Sequence, residues 1–266
     1  MDGRDWKKFL FPYEQAVEEL KIKFKTLRDE LRNREEYSSI EFVTGRIKKV
    51  SSILGKAKRL NVPMDQLETG IEDIAGIRIM CQFVEDIQRI AEIISARHDM
   101  KVIYAKDYIT NKKESGYRSY HVIVEYPVQT LLGMKPVLAE IQIRTLAMNF
   151  WATIEHSLNY KYKGAVLPEE VRLRLSRAAE AAHILDQEMS KIRSDIVEAQ
   201  KSFEDDSRLV RKILNDIQEL YYFNQVKEAV HYQIRFNELW EQDDMAELRV
   251  LSDAIEAAIE RVQKGE

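Results

Sequence analysis

The chain has 266 residues, 45% of them hydrophobic and 32% charged, and a formal net charge of −4. That composition excludes a disordered chain and a protein whose whole surface sheathes nucleic acid, while leaving room for basic clefts in one large domain or a domain of about 200 residues with an appendage. A single cysteine, Cys81, set among alternating apolar residues as a core thiol, excludes an internal disulfide and a cysteine-rich metal site; with no signal-peptide core and no bilayer-spanning apolar run, a cytoplasmic protein is expected.

The spacing predicts a first helix from Pro12, with Tyr13, Val17, Leu20, Phe24, Leu27 and Leu31 forming one apolar stripe and Lys21, Lys25, Arg28 and Arg32 beside or across from it. A second helix is expected over Gly45 to Arg59. There Val43, Ile47, Val50, Leu54 and Ala57 gather on one side, and Lys48, Ser52, Lys56 and Arg59 fall within roughly 80° on the other. Between residues 74 and 143 the period changes to two. Ile77, Ile79, Cys81 and Phe83 alternate with Arg78, Met80 and Gln82, a helix is predicted over 85 to 97, and strands near 101 to 108, 119 to 126 and 136 to 144. The last two are separated by about ten residues, too few for a helical crossover, so they should pair antiparallel within a mixed sheet. Thr145 suits the N-cap of a helix through Trp151 and Leu158, and Pro168 opens another that continues beyond Met189. Beyond Gly164 the only glycine is Gly265, so the last third should be almost wholly helical. A break is expected at Glu204, Asp205, Asp206 and Ser207, another near Asp243 and Asp244, and the segment between and after them reads as a helical hairpin appendage.

Three groups of residues carry chemistry. Lys48, Ser52 and Lys56, a hydroxyl between lysines at four-residue spacing, suit a chain of phosphates, although a basic outer helix face is also ordinary surface. Asp73 precedes the strand of Arg78, and Glu140 shares the polar face of the strand Val137 to Arg144 with Gln142 and Arg144. Two strand carboxylates beside lysines fit Mg²⁺ bound to substrate phosphates, and a solvated charged sheet face fits them as well. The stretch from Lys112 to His121 brings three cations, Gly116, two tyrosines and a histidine together. That is nucleotide-pocket chemistry, with a ring to stack, cations for phosphate and a glycine that lets backbone approach a ligand; it also describes a solvated loop. His98, His121, His156, His183 and His231 lack zinc-ligand spacing, and Glu155-His156 has no second histidine.

From about Tyr13 to Ala199 the chain resembles the small alarmone synthetases of the RelQ type, the stand-alone form of the RelA/SpoT-homology synthetase domain. The carriers are Glu41 to Arg46 (EFVTGR), Glu72 to Arg78 (EDIAGIR), Lys106 to Ile109 (KDYI), Glu114 to His121 (ESGYRSYH) and Glu140 to Thr145 (EIQIRT). The resemblance implies an α/β (α+β) fold, a nucleotidyltransferase-like mixed β-sheet flanked by helices, with residues 1–200 as the synthetase domain and 201–266 as a helical C-terminal extension. It implies transfer of the β,γ-diphosphate of ATP to the 3′-hydroxyl of GDP or GTP, giving AMP and ppGpp or pppGpp, in stringent-response signalling.

By the same resemblance Arg46 and Arg78 sandwich adenine, and Lys48, Ser52, Lys56 and Arg59 line the ATP phosphates. Asp73 holds Mg²⁺, and Glu140 approaches the acceptor hydroxyl as general base or metal ligand. Tyr117 stacks on guanine, Lys113 and His121 sit at acceptor phosphates, and Lys106, Gln142 and Asn149 lie near the acceptor. Synthesis without hydrolysis is implied, because His98-Asp99, the one His-Asp dipeptide, has no partner histidines. The family likeness also implies a homotetramer that binds its product at an allosteric site with Lys21, Lys25, Phe42 and Thr44, and single-stranded RNA as a further partner. Two other readings share these residues. One moves the diphosphate to adenosine nucleotides or a tRNA 3′ end, and the other is a nucleotide- or RNA-binding oligomer without turnover.

Overall fold

The computed structural model describes residues 5–161 and 168–264. Helix α1 (Trp6–Asn33) begins where the Asp5 carboxylate accepts the Lys8 amide at 3.2 Å, satisfying one donor of the first turn. It therefore starts before Pro12 and carries the proline inside it. An internal proline costs about 3 kcal/mol, but Phe9 and Tyr13 are buried with it, each stabilising by roughly 1.5–3 kcal/mol.

The helix expected from Gly45 divides in two. Gly45, Arg46 and Ile47 finish an unanticipated strand, β1 (Phe42–Ile47), and helix α2 (Val50–Leu60) starts only at Val50, so Lys48 lies ahead of it. A Cβ on Gly45 would come within 2.5 Å of Val17 Cγ1 and 2.7 Å of Lys21 Cδ, so glycine is what allows β1 to lie this close to α1. After α2 come a single helical turn, α3 (Leu67–Gly70), then β2 (Ala75–Cys81), α4 (Val84–Ser95) and β3 (Lys101–Asp107).

Strands β4 (Tyr120–Thr130) and β5 (Gly133–Thr145) run further than predicted. Pro127 and Pro136, which shorten the sequence-based strands, face each other across the hairpin, and only Leu131 and Leu132 separate Thr130 from its partner Gly133. Gly133 takes φ +104°, a conformation glycine reaches without strain. The sheet order is β1-β2-β5-β4-β3, with β2 parallel to β5 and every other pair antiparallel. The expected mixed sheet is therefore present, and its antiparallel hairpin with it.

One face of this sheet is core. Ile77, Ile79, Val122, Val124, Ile141 and Ile143 are buried there with Leu20 and Phe24 of α1 and Ile90 and Ile94 of α4. Cys81 is a buried thiol, as its setting implied. Helix α5 (Leu146–Lys161) starts where Thr145 Oγ1 accepts the Met148 amide at 3.1 Å, and α6 (Glu169–Tyr222) follows Pro168. The two helices meet through Trp151, whose indole N–H donates to the Leu175 carbonyl at 2.9 Å. No helix among the described residues is long and apolar enough to cross a membrane.

The chain divides into two compact units, residues 1–191 and 192–266. In the second, α6 passes unbroken through Glu204 to Ser207, where a break was expected. Without glycine or proline the acidic cluster can stay helical, and Asp205 pairs with Arg208 at 3.7 Å and Asp206 with Arg249 at 3.6 Å. The turn comes instead at Asn224, with φ +62°, and the second one at Asp243 as expected. Rather than a hairpin, three segments pack together. Ile213, Ile217 and Leu220 of α6 bury with Phe236 and Leu239 of α7 (Val226–Glu241) and Leu248, Leu251 and Ile255 of α8 (Met245–Lys264).

Candidate active site

The sheet face opposite the core is polar because strand alternation places every second residue there. Register sets Thr44 beside Arg78, Arg78 beside Gln142, Gln142 beside His121 and His121 beside Lys106, one row crossing all five strands. The neighbouring row sets Arg46 beside Gly76 and Gly76 beside Glu140. A Cβ on Gly76 would sit 3.4 Å from Arg46 Cγ, so the absent side chain makes space for that arginine.

Over this face lies a cavity of about 400 Å³ whose lining includes Arg46, Asp73, Arg78, Lys113, Tyr117, His121, Glu140, Gln142 and Arg144, with Thr153, Glu155 and His156 of α5 as a wall. A second cavity of about 240 Å³ is lined by Lys48, Ser52, Gly55, Lys56, Arg59 and Asp73. Asp73 borders both. The four residues expected to form one stripe on a helix thus do form one wall, although Lys48 contributes from the β1–α2 connection.

Lys48 Nζ lies 2.6 Å from one Asp73 oxygen and Lys56 Nζ 2.8 Å from the other. Burial would push this carboxyl up, but the hydrogen bonds from the two lysines outweigh it and hold it below the usual aspartate value. Glu140 is held by a similar balance. Burial raises it, while His121 Nδ1 at 2.8 Å and the Gln142 amide, donating to the other oxygen at 2.7 Å, lower it further than the Asp73 charge raises it. Both carboxylates are therefore ionised at neutral pH.

Arg78 lies near Arg46 and Arg144. Burial, then those two charges, make its guanidinium easier to deprotonate than usual, so an anionic group placed here would relieve repulsion already present. Tyr117 is largely enclosed. Its hydroxyl lies 2.8 Å from His121 Nε2 and accepts from Arg144 Nη2 at 2.6 Å, and burial raises its phenol. Lys113 Nζ sits over the Tyr117 ring at 4.8 Å and over Tyr108 at 4.6 Å, a flexible cation where a base would have to enter.

At Gly116 the close approach that the structure shows is to a helix. The glycine takes φ +86°, and a Cβ there would meet Ala179 Cβ of α6 at 2.5 Å, so this loop and that helix are in close contact. Arg118 ties the same loop to Glu180 at 3.0 Å. Lys106 stands at the sheet edge, 3.1 Å from the Tyr104 hydroxyl and 3.8 Å from Glu72, and Asn149 on α5 is also outside the cavity lining. Of the regulatory candidates, Phe42 and Thr44 are exposed on the outer face of β1, while Lys21 lies against Gly45 on the α1 side with Lys25 exposed one turn on. His98-Asp99 is structural, because Asp99 is clamped by Lys23 and Arg97, both at 2.6 Å.

Residues 45–165 match the family model described as a region found in RelA / SpoT proteins. The chain is 60% identical over 203 residues, 76% of its own length and 95% of the relative's, to the GTP pyrophosphokinase YjbM of Bacillus subtilis (strain 168). It belongs to the small alarmone synthetases of the RelA/SpoT family. A solved structure of small alarmone synthetase 1 from Bacillus subtilis, bound to its product pppGpp, superposes with a TM-score of 0.70 at 61% identity, covering 72% of this chain and 97% of that one. The same enzyme bound to AMPCPP superposes at 0.64 with 56% identity, covering 73% and 98%.

Sequence reasoning left several residues in and around this synthetase's cavity without a role. Arg144 and Ser119, joined at 3.1 Å, lie under Tyr117, and the alternation that aligned Glu140 with Gln142 also pointed at Arg144. Thr153 and His156 follow from the helical phase of Asn149 once α5 is known to roof the sheet. Tyr108, edge-on to His121 at 5.1 Å, was visible only as part of a motif.

Proposed function

We propose that this protein is a GTP pyrophosphokinase that moves the β,γ-diphosphate of ATP to the 3′-hydroxyl of GDP or GTP, releasing AMP and forming ppGpp or pppGpp. The observation that carries the reading is Asp73, which borders both the lysine-lined cavity and the cavity holding Glu140 and Tyr117. A donor phosphate chain along Lys48, Ser52, Lys56 and Arg59 would end beside Asp73, and an acceptor stacked on Tyr117 would bring its ribose toward Glu140. The printed names of the relatives, with pppGpp bound in one structure and AMPCPP in the other, support the same assignment.

Diphosphoryl transfer asks a protein chiefly for alignment and for charge neutralisation between donor and acceptor. Arg46 and Arg78 would hold adenine between guanidinium planes. Lys113 would leave the Tyr117 ring for acceptor phosphate as guanine takes its place, with His121, Lys106 and Asn149 around the acceptor. Glu140 would take the proton of the attacking alcohol. Asp73 and Glu140 offer oxygen donors only and line one cavity, a set that fits Mg²⁺ with retained waters, and they would hold it once the lysines shift from Asp73 to phosphate. The ion would neutralise phosphate charge.

As a soluble nucleotide enzyme it would work in the cytoplasm as a homotetramer. Product would bind at Lys21, Lys25, Phe42 and Thr44, contributed by more than one subunit, since a single chain turns these residues to opposite sides of β1. Single-stranded RNA is a further partner, to be scored in the same binding experiments. Incubation with ATP labelled in its terminal phosphates, Mg²⁺ and each of GMP, GDP, GTP, ATP and tRNA tests the activity. Label should pass to GDP and GTP with stoichiometric AMP; transfer only to adenosine or tRNA acceptors, or none, would overturn it.

A further inference from the structure

The donors around Glu140 form a closed ring with one direction. Arg144, 5% exposed, can only donate, and its Nη2 gives one hydrogen to the Tyr117 hydroxyl at 2.6 Å and the other to Gln142 Oε1 at 2.7 Å. With its oxygen facing Arg144, Gln142 must turn its amide toward Glu140 Oε2, where it donates at 2.7 Å. Tyr117, accepting from Arg144, has its own hydrogen for His121 Nε2 at 2.8 Å. A neutral His121 then carries its proton on Nδ1 and donates to Glu140 Oε1 at 2.8 Å. Both arms leave one guanidinium and converge on the two oxygens of one carboxylate.

We infer that Arg144 is the positioning residue of this site, setting the amide orientation of Gln142, the plane of the Tyr117 ring and the hydrogen bond that Tyr117 gives His121, and through them the carboxylate of Glu140. The inference rests on the pyrophosphokinase reading for its catalytic consequence, though not for the ring itself. The Arg144 Cζ lies 5.1 Å from the Tyr117 centroid, so the group that orders the guanine platform also orders the proton-accepting carboxylate, and base recognition is coupled to chemistry. The ring would reject an acceptor that tilts Tyr117, because the tilt breaks the Arg144 and His121 bonds together.

The test has two readouts. In the nucleotide-free protein with ¹⁵N-labelled histidine, the His121 signal, assigned by its loss in His121→Asn, should show a protonated Nδ1 and a bare Nε2. Arg144→Met and Tyr117→Phe, which removes only one oxygen, should each move the Nε2 resonance as its hydrogen bond from Tyr117 is loosened or lost, while the proton stays on Nδ1 against Glu140. In kinetics, Arg144→Met should raise the acceptor KM and lower kcat, together about 10²-fold as for a roughly 1 Å misplacement, while the Kd of a non-hydrolysable ATP analogue stays unchanged. An unmoved Nε2 resonance in Tyr117→Phe, or acceptor kinetics in Arg144→Met that match the parent, would overturn the inference, as would equal loss of donor-analogue binding. If Arg144→Met does not fold, the Tyr117→Phe spectrum decides. A parent protein that makes no product would remove the functional reading, while the tautomer would still judge the ring.

Discussion

Glu140→Gln is isosteric, yet the ring makes it more than the loss of a charge. Both carboxylate oxygens accept from N–H donors, so an amide in their place must point its NH₂ at one of them. The Gln142 side cannot yield, because reversing that amide would turn its own NH₂ toward Arg144 and Arg78. The new NH₂ therefore faces His121, which keeps the contact by moving its proton to Nε2 and donating to the Tyr117 hydroxyl. That exchange costs at most one buried hydrogen bond, about 1–3 kcal/mol locally, and leaves both cavities lined as before. The chemistry loses more. Removing a positioned proton acceptor lowers kcat about 10²–10⁴-fold, roughly 3–5 kcal/mol of transition-state stabilisation. Initial rates of AMP release with GDP as acceptor should show that loss, and calorimetry should show donor-analogue binding within about threefold of the parent, since uniform binding is retained. A kcat within about fivefold of the parent would refute the assignment of Glu140 as the group that takes the alcohol proton.

Three further outcomes are expected. Tyr117→Ala should raise the acceptor KM about five- to 150-fold, the equivalent of roughly 1–3 kcal/mol of base stacking, and initial rates against GDP and GTP check it. Asp186→Asn concerns stability. Asp186 accepts from Thr145 Oγ1 at 2.6 Å, and burial, outweighing that bond, raises its pKa from 3.8 to about 6. Nothing is lost below about pH 4, where the carboxyl is protonated folded and unfolded; ionisation then costs stability as pH rises to about 6, reaching roughly 3 kcal/mol. The variant should therefore match the parent in denaturant unfolding at pH 4 and exceed it by about 1–3 kcal/mol at pH 8, and equal stability at both would refute the cause given. Added pppGpp should stimulate the parent, and Phe42→Ala should lose that stimulation while keeping its unstimulated rate.

The polar sheet face was legible because alternation is rigid. Once Ile141 and Ile143 are assigned to the core, Glu140, Gln142 and Arg144 have nowhere else to point, and a one-residue slip of β5 would turn all three into the apolar core. β1 was not legible, because Gly45, Arg46, Ile47 and Lys48 continue the helical phase of Val50 to Arg59, and only the approach of Val17 to Gly45 decides for a strand. Gly116 is a related case. Its positive φ accommodates α6, an element far along the chain, so local sequence named the residue without this neighbour. The C-terminal turn shows the converse, since charge at Glu204 to Asp206 is compatible with helix, whereas the left-handed Asn224 is not.

Arg144 marks where sequence reasoning stops and geometry begins. Periodicity put it on the right face, but its role depends on which acceptors lie within reach of one guanidinium, and those come from two segments: Tyr117 and Ser119 from the loop before β4, and Gln142 from β5 itself. Strand alternation alone fixes the Gln142 contact. The Tyr117 contact exists only because α6, packed on Gly116, presses the loop down, and Trp151 and Ala179 close over the ring. A substitution at Ala179 should therefore disturb acceptor recognition from outside the cavity, by lifting the loop and lengthening the bond between Arg144 and Tyr117, while the Arg144–Gln142 arm holds.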